Sequence, residues 1–338
     1  MAAASLAPVT ALSQSRPPLS RIAFGSCANQ TLPQPIWDAV LAYRPDLFIF
    51  MGDNVYGDFN AADAANLRRA YDLASDIAGY TRLRKEVRHL AVWDDHDYGL
   101  NDGGGNFAHK DIAKDLFLKF WDVPVDDIRR SRGGIYTASI IGPPGMRVQV
   151  ILLDVRWFRS PLKPTDQRGA PGKERYLPDP DPAKTMLGPD QWEWLAAELR
   201  KPAELRLLVS STQVLAEGHG WERWGNLPLE RQKLFDTIRD SGAKGVVLLS
   251  GDRHIGALYR ETHPGLYPLH EITSSGLNMV YWAAKEPGPN RIGALYAAAN
   301  FGVVDIDWWE RRVVLALRDE GGNTRRSVEL TFDTLGIG

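Results

Sequence analysis

The chain has 338 residues, with 40 Lys and Arg against 42 Asp and Glu, and its formal net charge is −2. A chain this close to neutral has no bulk electrostatic attraction to nucleic acid or to an anionic membrane, so we expect no nucleic-acid partner. Hydrophobic residues make up 44% of the sequence, and no apolar run approaches the ~20 residues of a membrane span, so the composition indicates a globular protein without a transmembrane segment.

The N-terminal segment, residues 1–19, is small, apolar and uncharged up to Arg16. This pattern predicts either a disordered tail or the remnant of a secretory signal that has lost its basic start. A signal remnant would indicate a periplasmic or secreted protein. The single cysteine, Cys27, excludes an intrachain disulfide and by itself favours a reducing compartment. We expect residues 20–338 to form a single domain.

The first half of the chain alternates strand and helix patterns. Short apolar runs predict strands over Arg21–Gly25, Asp46–Met51 and His89–Val92. Apolar residues at helical spacing predict helices over Pro35–Tyr43, twice within residues 62–87, and over Asp111–Phe120.

The middle of the chain begins with a hairpin pattern. Ile135–Ile141 and Arg147–Leu153 predict an antiparallel pair joined by a Gly-Pro-Pro-Gly turn. Residues 159–188 are rich in Pro, Gly and charge and predict a long surface loop near a functional site.

The second half continues with buried strands and helices and then changes to short strands. Helices are predicted from Gly188 to Leu199 and over Pro228–Asp240, around the buried strands Leu205–Ser210 and Gly245–Ser250. Five short strands follow: Ala257–Arg260, Pro268–Thr273, Gly302–Asp307, Val313–Arg318 and Ser327–Phe332. Helical connections early and hairpins late predict an α/β fold of two mixed sheets packed face to face, with helices outside.

Four polar clusters each follow a predicted buried strand. They are Gly25-Ser26-Cys27, Gly52-Asp53-Asn54-Val55-Tyr56, Trp93-Asp94-Asp95-His96-Asp97 and Ser250-Gly251-Asp252-Arg253-His254. Because ligands of open α/β sheets bind outside the carboxyl ends of the strands, we expect the four clusters to converge on one crevice.

The side chains of these clusters divide into two kinds of metal ligand. Cys27, Tyr56 and His254 offer a thiol, a phenol and an imidazole, and free thiols and phenols keep their protons up to pKa values of ~8.5 and ~10. Holding both deprotonated near neutral pH needs a strongly acidic cation, which favours Fe³⁺ over zinc or magnesium. Oxygen-only ligands suit Ca²⁺, Mg²⁺ or Mn²⁺, and Asp53, which would bridge the two ions, belongs to this set with Asp95 and Asp252.

A site with two adjacent metal ions is typical of phosphoryl transfer. His96 lies beside the candidate ligand Asp95 and is the candidate general acid, with Asp97 as the residue that orients its imidazole. Arg156 and Arg159 follow a predicted strand and would either bind a phosphate group or form a salt bridge with Asp154.

Each candidate also has a plain structural explanation. A lone Cys27 is more often a small buried hydrophobe than a ligand, and Asp53 could cap the segment that follows it. The three acids around His96 could form a turn network, and His254 could be a buried histidine with satisfied hydrogen bonds. The clustering of these residues in one strand-end context is what favours the metal site.

Together these motifs, with Leu153-Asp154-Val155-Arg156, Arg159 and Glu271-Ile272-Thr273-Ser274-Ser275-Gly276, resemble the alkaline phosphatase D family of calcineurin-like metallophosphoesterases. The resemblance runs from about Arg21 to about Gly276. It implies a four-layer α/β/β/α sandwich, Fe³⁺ plus Ca²⁺, and hydrolysis of phosphate monoesters and diesters. It implies Fe³⁺ ligands Cys27, Asp53, Tyr56 and His254, Ca²⁺ ligands Asp53, Asp95 and Asp252 with Gln213 as a further candidate, and His96 as proton donor.

Two departures from that family leave the size of the substrate open. Longer members carry an extra N-terminal β-domain, which we expect to be absent because the first catalytic strand begins at residue 21. A C-terminal cap is not identifiable beyond the short strands after residue 302.

Two other functions remain as alternatives to a phosphatase acting on a small phosphate ester. One is a non-catalytic calcium-binding surface domain, suggested by the acid-rich loops and the many aromatic residues. The other keeps the fold and changes the substrate, as a phospholipase-like or nucleotide phosphodiesterase. The sequence carries no signal for the oligomeric state.

Overall fold

The computed structural model describes residues 17–338, which form two large sheets, one small sheet and seven α-helices within that range. The strands are β1 Arg21–Gly25, β2 Leu47–Met51, β3 His89–Val92, β4 Thr137–Ile141, β5 Val148–Leu152, β6 Lys163–Pro164, β7 Tyr176–Leu177, β8 Leu205–Ser210, β9 Val246–Ser250, β10 Gly256–Glu261, β11 Leu269–Ser274, β12 Phe301–Asp307, β13 Arg312–Arg318 and β14 Thr324–Thr331. The helices are α1 Ile36–Tyr43, α2 Ala65–Asp76, α3 Ala78–Glu86, α4 Asp95–Tyr98, α5 Lys110–Phe120, α6 Gly188–Leu199 and α7 Pro228–Ser241.

Both large sheets are mixed. The first has six strands in the order β14-β13-β12-β1-β2-β3, in which β1, β2 and β3 run parallel and the late strands pair antiparallel. The second has six strands in the order β10-β11-β9-β8-β5-β4, with parallel pairs at its centre and an antiparallel pair at each edge. The parallel strands place their carboxyl ends, and the loops that follow them, at a common edge.

The alternation of apolar side chains along the second sheet shows how the layers are arranged. On β8, Leu207 and Val209 belong to a core shared with the first sheet, whereas Leu208 belongs to a second core with α6 and α7. Since successive side chains of a strand point to opposite faces, the second sheet is buried on both faces. Helices α1, α2, α3 and α5 cover the other face of the first sheet, which completes the predicted α/β/β/α sandwich.

The predicted elements are present with small shifts at their ends. The predicted hairpin is the antiparallel pair β4–β5, and the long loop 159–188 holds only the two-residue strands β6 and β7. The sequence did not predict α4, a single turn that begins at Asp95 inside one of the polar clusters.

The packed part of the chain begins just before residue 20. Leu19 is 3% exposed within the core, and its carbonyl accepts a hydrogen bond from Trp308 Nε1 at 2.9 Å. The hypothesis of a disordered tail or a signal remnant concerns residues 1–19, of which residues 1–16 lie outside the described residues. Among the described residues, no helix is long and apolar enough to cross a membrane.

Candidate metal centre

The loops after β1, β2, β3 and β9 meet at one place, as the strand-end argument predicts. Ligand atoms of Cys27, Asp53 and His254 lie within 4.8 Å of one another, and those of Asp94, Asp95 and Asp252 do so as well. A third such group joins Asp53 to Asp95 and His96. Residues separated by more than two hundred positions in the sequence therefore form one cluster.

The first group of ligands, which we call the thiol–phenol set, consists of Cys27, Tyr56 and His254 with one oxygen of Asp53. Asp53 Oδ2 lies 3.4 Å from Cys27 Sγ and 3.3 Å from the Tyr56 hydroxyl. The Tyr56 hydroxyl lies 3.1 Å from Nε2 of His254. Separations of this size fit donor atoms that each lie about 2.0–2.3 Å from one ion.

The second group, which we call the carboxylate set, consists of Asp95 and Asp252 with the other carboxylate oxygen of Asp53. Asp53 Oδ1 accepts a hydrogen bond from the His96 backbone N–H at 3.2 Å, so the two oxygens of Asp53 face different partners. Asp95 Oδ2 accepts a hydrogen bond from the Asp102 backbone, whereas buried Asp95 Oδ1 has no partner among the described residues. A buried carboxylate oxygen without a donor is costly unless a cation compensates it.

The backbone is strained where the ligands are held. Cys27, Asp53, Asp252 and His254 all have positive φ, at 65°, 49°, 67° and 55°. Left-handed backbone at residues with a side chain costs free energy and concentrates at functional sites. Gly52, at φ 98°, is required because a Cβ there would lie 2.5 Å from the Cβ of Asp94.

Burial keeps the thiol and the phenol of this set protonated unless a cation is present. It raises the pKa of the Cys27 thiol to about 12 and, with Cys27 and Asp53 nearby, raises the pKa of Tyr56 well above its usual value. In contrast, burial and the charge of Arg253 lower the pKa of His254 to about 4, so its imidazole is neutral and has a free lone pair. A strong Lewis acid is what this donor set needs to become a set of ligands.

The carboxylates also repel one another. Burial, followed by the charge of Asp95, raises the pKa of Asp53 well above its usual value, and burial with the charges of Asp94 and Asp95 does the same for Asp252. Burial disfavours the anion of Asp95 too, but the positive charges of His96 and Arg156 hold its pKa below the usual value. The residues present therefore fit cations bound between them.

His96 lies in one group with Asp53 and Asp95 and lines the cavity, but Asp97 does not orient it. The Nδ1 atom of His96 lies 2.5 Å from Asp58 Oδ2, and its ring packs on Tyr56 with centroids 4.3 Å apart. This corrects the expectation for Asp97.

Asp97 holds the loop backbone instead. Its carboxylate accepts hydrogen bonds from the backbone N–H groups of Asp53, Asn54 and Asp94 and from the Asn54 side chain. Burial raises the pKa of Asp97 to about 7, although these donors act in the opposite direction. Asp97 therefore fixes the strand-end loops that carry the ligands.

Arg156 differs from both of its predicted roles. It is fully buried, with Nε 2.6 Å from Asp94 Oδ1 and Nη1 2.6 Å from Glu222 Oε2, and it does not line the cavity. Toward Asp154 it donates only its backbone N–H, at 3.0 Å. Arg156 lies behind the acids and balances their charge, because a buried guanidinium with two carboxylate partners is not free to bind phosphate.

Gln213 does not join either ligand set. Its side-chain amide donates to the Tyr259 hydroxyl and to Thr273 Oγ1, both at 3.0 Å, and its oxygen lies 3.1 Å from Nε2 of His219. Both amide N–H groups are therefore used by neighbours and the oxygen faces His219, so the role of Gln213 as a further ligand stays a prediction.

The centre opens into a cavity of about 240 Å³, which we call the metal cavity. Its wall combines Asp53, Asp95, His96, Asp252 and His254 with residues that the sequence did not single out. These additional residues include Asp102, Arg175, Trp221, Glu222 and Tyr281. They lie in irregular loops, so no periodic pattern could have identified them.

Ser275 is a contact that the strand-end rule could have identified, because it follows β11. Its hydroxyl lies 3.2 Å from Cys27 Sγ and accepts a hydrogen bond from the His254 backbone at 2.7 Å. Ser275 thereby fixes two members of the thiol–phenol set relative to each other.

A comparison with protein-family models matches residues 22–287 to the PhoD-like phosphatase family. A comparison with curated proteins finds no match to the chain.

Solved structures are similar in fold. PhoD matches with a TM-score of 0.70 and 15% identity over 94% of this chain and 69% of PhoD. The purple acid phosphatase PPD1 from seeds of yellow lupin, Lupinus luteus, matches with a TM-score of 0.60 and 10% identity over 94% of this chain and 54% of that protein. GAP50, described as the anchor in the inner membrane complex of Plasmodium, matches with a TM-score of 0.57 and 11% identity over 93% of this chain and 89% of GAP50.

Proposed function

The chain belongs to the PhoD-like phosphatase family and is a metal-dependent phosphoric ester hydrolase, and we propose that it cleaves phosphate monoesters and diesters at a dinuclear centre. In this proposal residues 20–338 form one catalytic domain. The observation that carries the proposal is the position of Asp53 between two chemically different ligand sets.

The two ligand sets would hold different ions. The thiol–phenol set, with Cys27, Tyr56, His254 and Asp53, suits Fe³⁺, because burial keeps the thiol and the phenol protonated unless a strong Lewis acid binds. The carboxylate set, with Asp53, Asp95 and Asp252, suits Ca²⁺, with Mg²⁺ or Mn²⁺ as the other hard cations that oxygen ligands accept. When bound, the ions supply an activated water and charge stabilisation for the phosphoryl oxygens.

The protein itself supplies the proton and the shape of the site. His96 lines the cavity with its Nδ1 bonded to Asp58, and we propose that it protonates the leaving oxygen. In the absence of bound ions, the charges of Asp53 and Asp95 outweigh the effect of burial and raise the pKa of His96 to about 10. Asp97 and Arg156 act as positioning residues.

Family membership favours this enzyme over the non-catalytic calcium-binding domain. A phospholipase-like phosphodiesterase would use the same centre and differ only in the leaving group. We also propose a periplasmic or secreted location, on the apolar character of the segment 1–19 up to Arg16 alone, and a small phosphate ester as the partner.

The test is activity together with metal content. Protein purified without chelator should contain iron and a second, divalent metal, and it should hydrolyse p-nitrophenyl phosphate and bis(p-nitrophenyl) phosphate. Asp53→Asn should lower kcat/KM by about 10³-fold or more and reduce the content of both metals, because both sets lose a shared charged ligand.

The matched control is Asp72→Asn, which removes an exposed carboxylate on α2 and should change neither quantity. Full activity in Asp53→Asn, or an active protein free of iron and of divalent metal, would refute the shared centre. A chelated protein that binds calcium but never hydrolyses a phosphoester after metals are restored would favour the surface-domain alternative.

A further inference from the structure

A second cavity opens directly beside the metal cavity. It has a volume of about 520 Å³, and Arg175, Trp221 and Tyr281 line both cavities. We call it the side cavity. Its size lies in the range of small-molecule sites, and a group attached to a phosphorus atom in the metal cavity would extend into it.

The two acids that line the side cavity, Glu174 and Glu286, both have partners within the protein. Glu174 accepts hydrogen bonds from the backbone N–H groups of Gly172, at 3.0 Å, and Gly220. Glu286 forms an ion pair with Arg253 at 2.9 Å. The charge of Glu286 is balanced by Arg253, whereas Glu174 keeps its negative charge beside the cations of the cavity.

Two of the cations that line the side cavity have no ion-pair partner among the described residues. Arg168 and Lys285 stand on two different loops that line it, and neither forms an ion pair with another residue in the range 17–338. Two unpaired cations in one concave surface attract an anion. An apolar leaving group, such as a diacylglycerol, would leave both charges unused.

The wall between the two cavities is aromatic. Trp221 and Tyr281 meet edge to face, with centroids 6.2 Å apart and an interplanar angle of 75°. The guanidinium groups of Arg253 and Arg175 lie 4.9 Å and 5.1 Å from the Trp221 centroid and hold that indole in place. Within residues 17–338 no cation lies over the Tyr281 ring, which is 37% exposed, so it is the ring available to a planar group.

We propose that the side cavity binds the leaving group of the substrate, and that the preferred leaving group carries a planar aromatic ring and a further negative charge, the chemistry of a nucleotide. This rests on the proposed function and specifies its substrate class. In the reaction, water oxygen forms a bond to phosphorus and the bond from phosphorus to the leaving oxygen breaks. For ADP and water the products are AMP and inorganic phosphate, and no electron transfer or co-reactant is involved.

Three substrates distinguish the effect of a negative charge on the leaving group from the effect of its aromatic ring. The leaving group is AMP in ADP, which has both features, phosphate in pyrophosphate, which has charge only, and glycerol in glycerol 3-phosphate, which has neither. Because these compounds differ in intrinsic reactivity, the readout is the change that a substitution makes in kcat/KM for one substrate relative to another.

Arg168→Ala and Lys285→Ala should each lower kcat/KM for ADP and pyrophosphate about tenfold relative to that for glycerol 3-phosphate. The loss should shrink at high salt, because these cations are exposed and screened. Tyr281→Leu should lower kcat/KM for ADP about tenfold relative to that for pyrophosphate. The matched controls are Lys119→Ala on α5 and Trp309→Leu, which line neither cavity and should leave all ratios unchanged.

The outcomes distinguish this inference from the proposed function. Hydrolysis of none of the three substrates, nor of p-nitrophenyl phosphate, would refute the proposed function. Hydrolysis with ratios that the side-cavity substitutions leave unchanged would overturn the leaving-group inference alone. A wild-type preference for long-chain alkyl phosphates, insensitive to Arg168→Ala, would also overturn it and would assign the side cavity to a lipid.

Discussion

His96 shows how single residues in this centre depend on their neighbours. Its Nδ1 is bonded to Asp58 and its ring packs on Tyr56, so the imidazole has one fixed orientation in the cavity wall. In the absence of bound ions, the surrounding carboxylates raise its pKa to about 10 against the effect of burial. A protonated histidine is a proton donor, and it loses this ability as the pH rises through its pKa.

The general-acid role makes a prediction about leaving groups. In His96→Gln, kcat for an alkyl phosphate should fall about 10²–10⁴-fold, because an alkoxide needs a proton to leave. The fall for p-nitrophenyl phosphate should be much smaller, because p-nitrophenolate leaves without one. In the pH–rate profile of the wild type, kcat for an alkyl phosphate should decline at alkaline pH. This alkaline limb should be absent from the profile of the variant.

Asp58→Asn provides the accompanying control. It removes the partner of Nδ1 without removing the imidazole, so it should shift the alkaline limb to lower pH and lower kcat less than His96→Gln does. Equal losses for alkyl and p-nitrophenyl substrates in His96→Gln would instead indicate a structural role for His96.

At the scale of elements, the pairing of β1 with β12 joins the late strands β12, β13 and β14 to the parallel strands β1, β2 and β3. Phe24 pairs with Gly302 in this antiparallel register. A Cβ on Gly302 would overlap the Phe24 ring, so the glycine is required by the close approach of the aromatic ring. The side chain of Phe24 is fully buried in the core shared by the two sheets.

This packing predicts a cost for a single methyl group. Gly302→Ala should lower the free energy of unfolding by about 1–3 kcal/mol, because an overpacked core must displace the Phe24 ring. The double variant Gly302→Ala with Phe24→Leu should recover part of that loss, since the smaller side chain leaves room for the methyl group. Urea denaturation of the three proteins measures this, and a Gly302→Ala protein as stable as the wild type would contradict the register.

Elements with a regular apolar pattern could be predicted from the sequence. Apolar runs such as that of β2 and helical spacing such as that of α5 predicted their elements, because hydrophobic periodicity reports burial. The strand-end rule predicted the convergence of the candidate ligands, in which Asp53 lies in one group with Cys27 and His254 and in another with Asp95 and His96. The rule does not take into account that a residue after a strand, such as Gln213, also has neighbours in its own sheet that compete for its hydrogen bonds.

The loop residues could not be predicted in this way. Arg175, Glu222 and Tyr281 reach the cavity wall from irregular segments, and only the tertiary arrangement shows them. The roles of Asp97 and Arg156 were misassigned for a related reason. Sequence proximity to His96 and to a strand end does not reveal that the partners are backbone N–H groups and buried acids.

At the scale of the whole molecule, the candidate metal ligands come from both sheets. Cys27 and Asp53 follow strands of the first sheet, whereas Asp252 and His254 follow a strand of the second. Ions bound between them would link the two layers and neutralise buried acids that otherwise repel one another.

Metal removal should therefore destabilise the protein. Treatment with a chelator, followed by removal of the chelator complex, should lower Tm by several degrees, and restoring iron and calcium should return it. Asp53→Asn should show a much smaller difference between the treated and untreated forms. A Tm that is the same with and without metal would show that the centre contributes nothing to the joining of the sheets.

The most direct test of the shared dinuclear centre is anomalous X-ray diffraction from crystals of protein purified without chelator, recorded above and below the iron absorption edge. We predict one iron peak within the thiol–phenol set and a second, non-iron metal peak within the carboxylate set, with Asp53 between them. A single ion, or an iron peak away from Cys27 and Tyr56, would contradict the account.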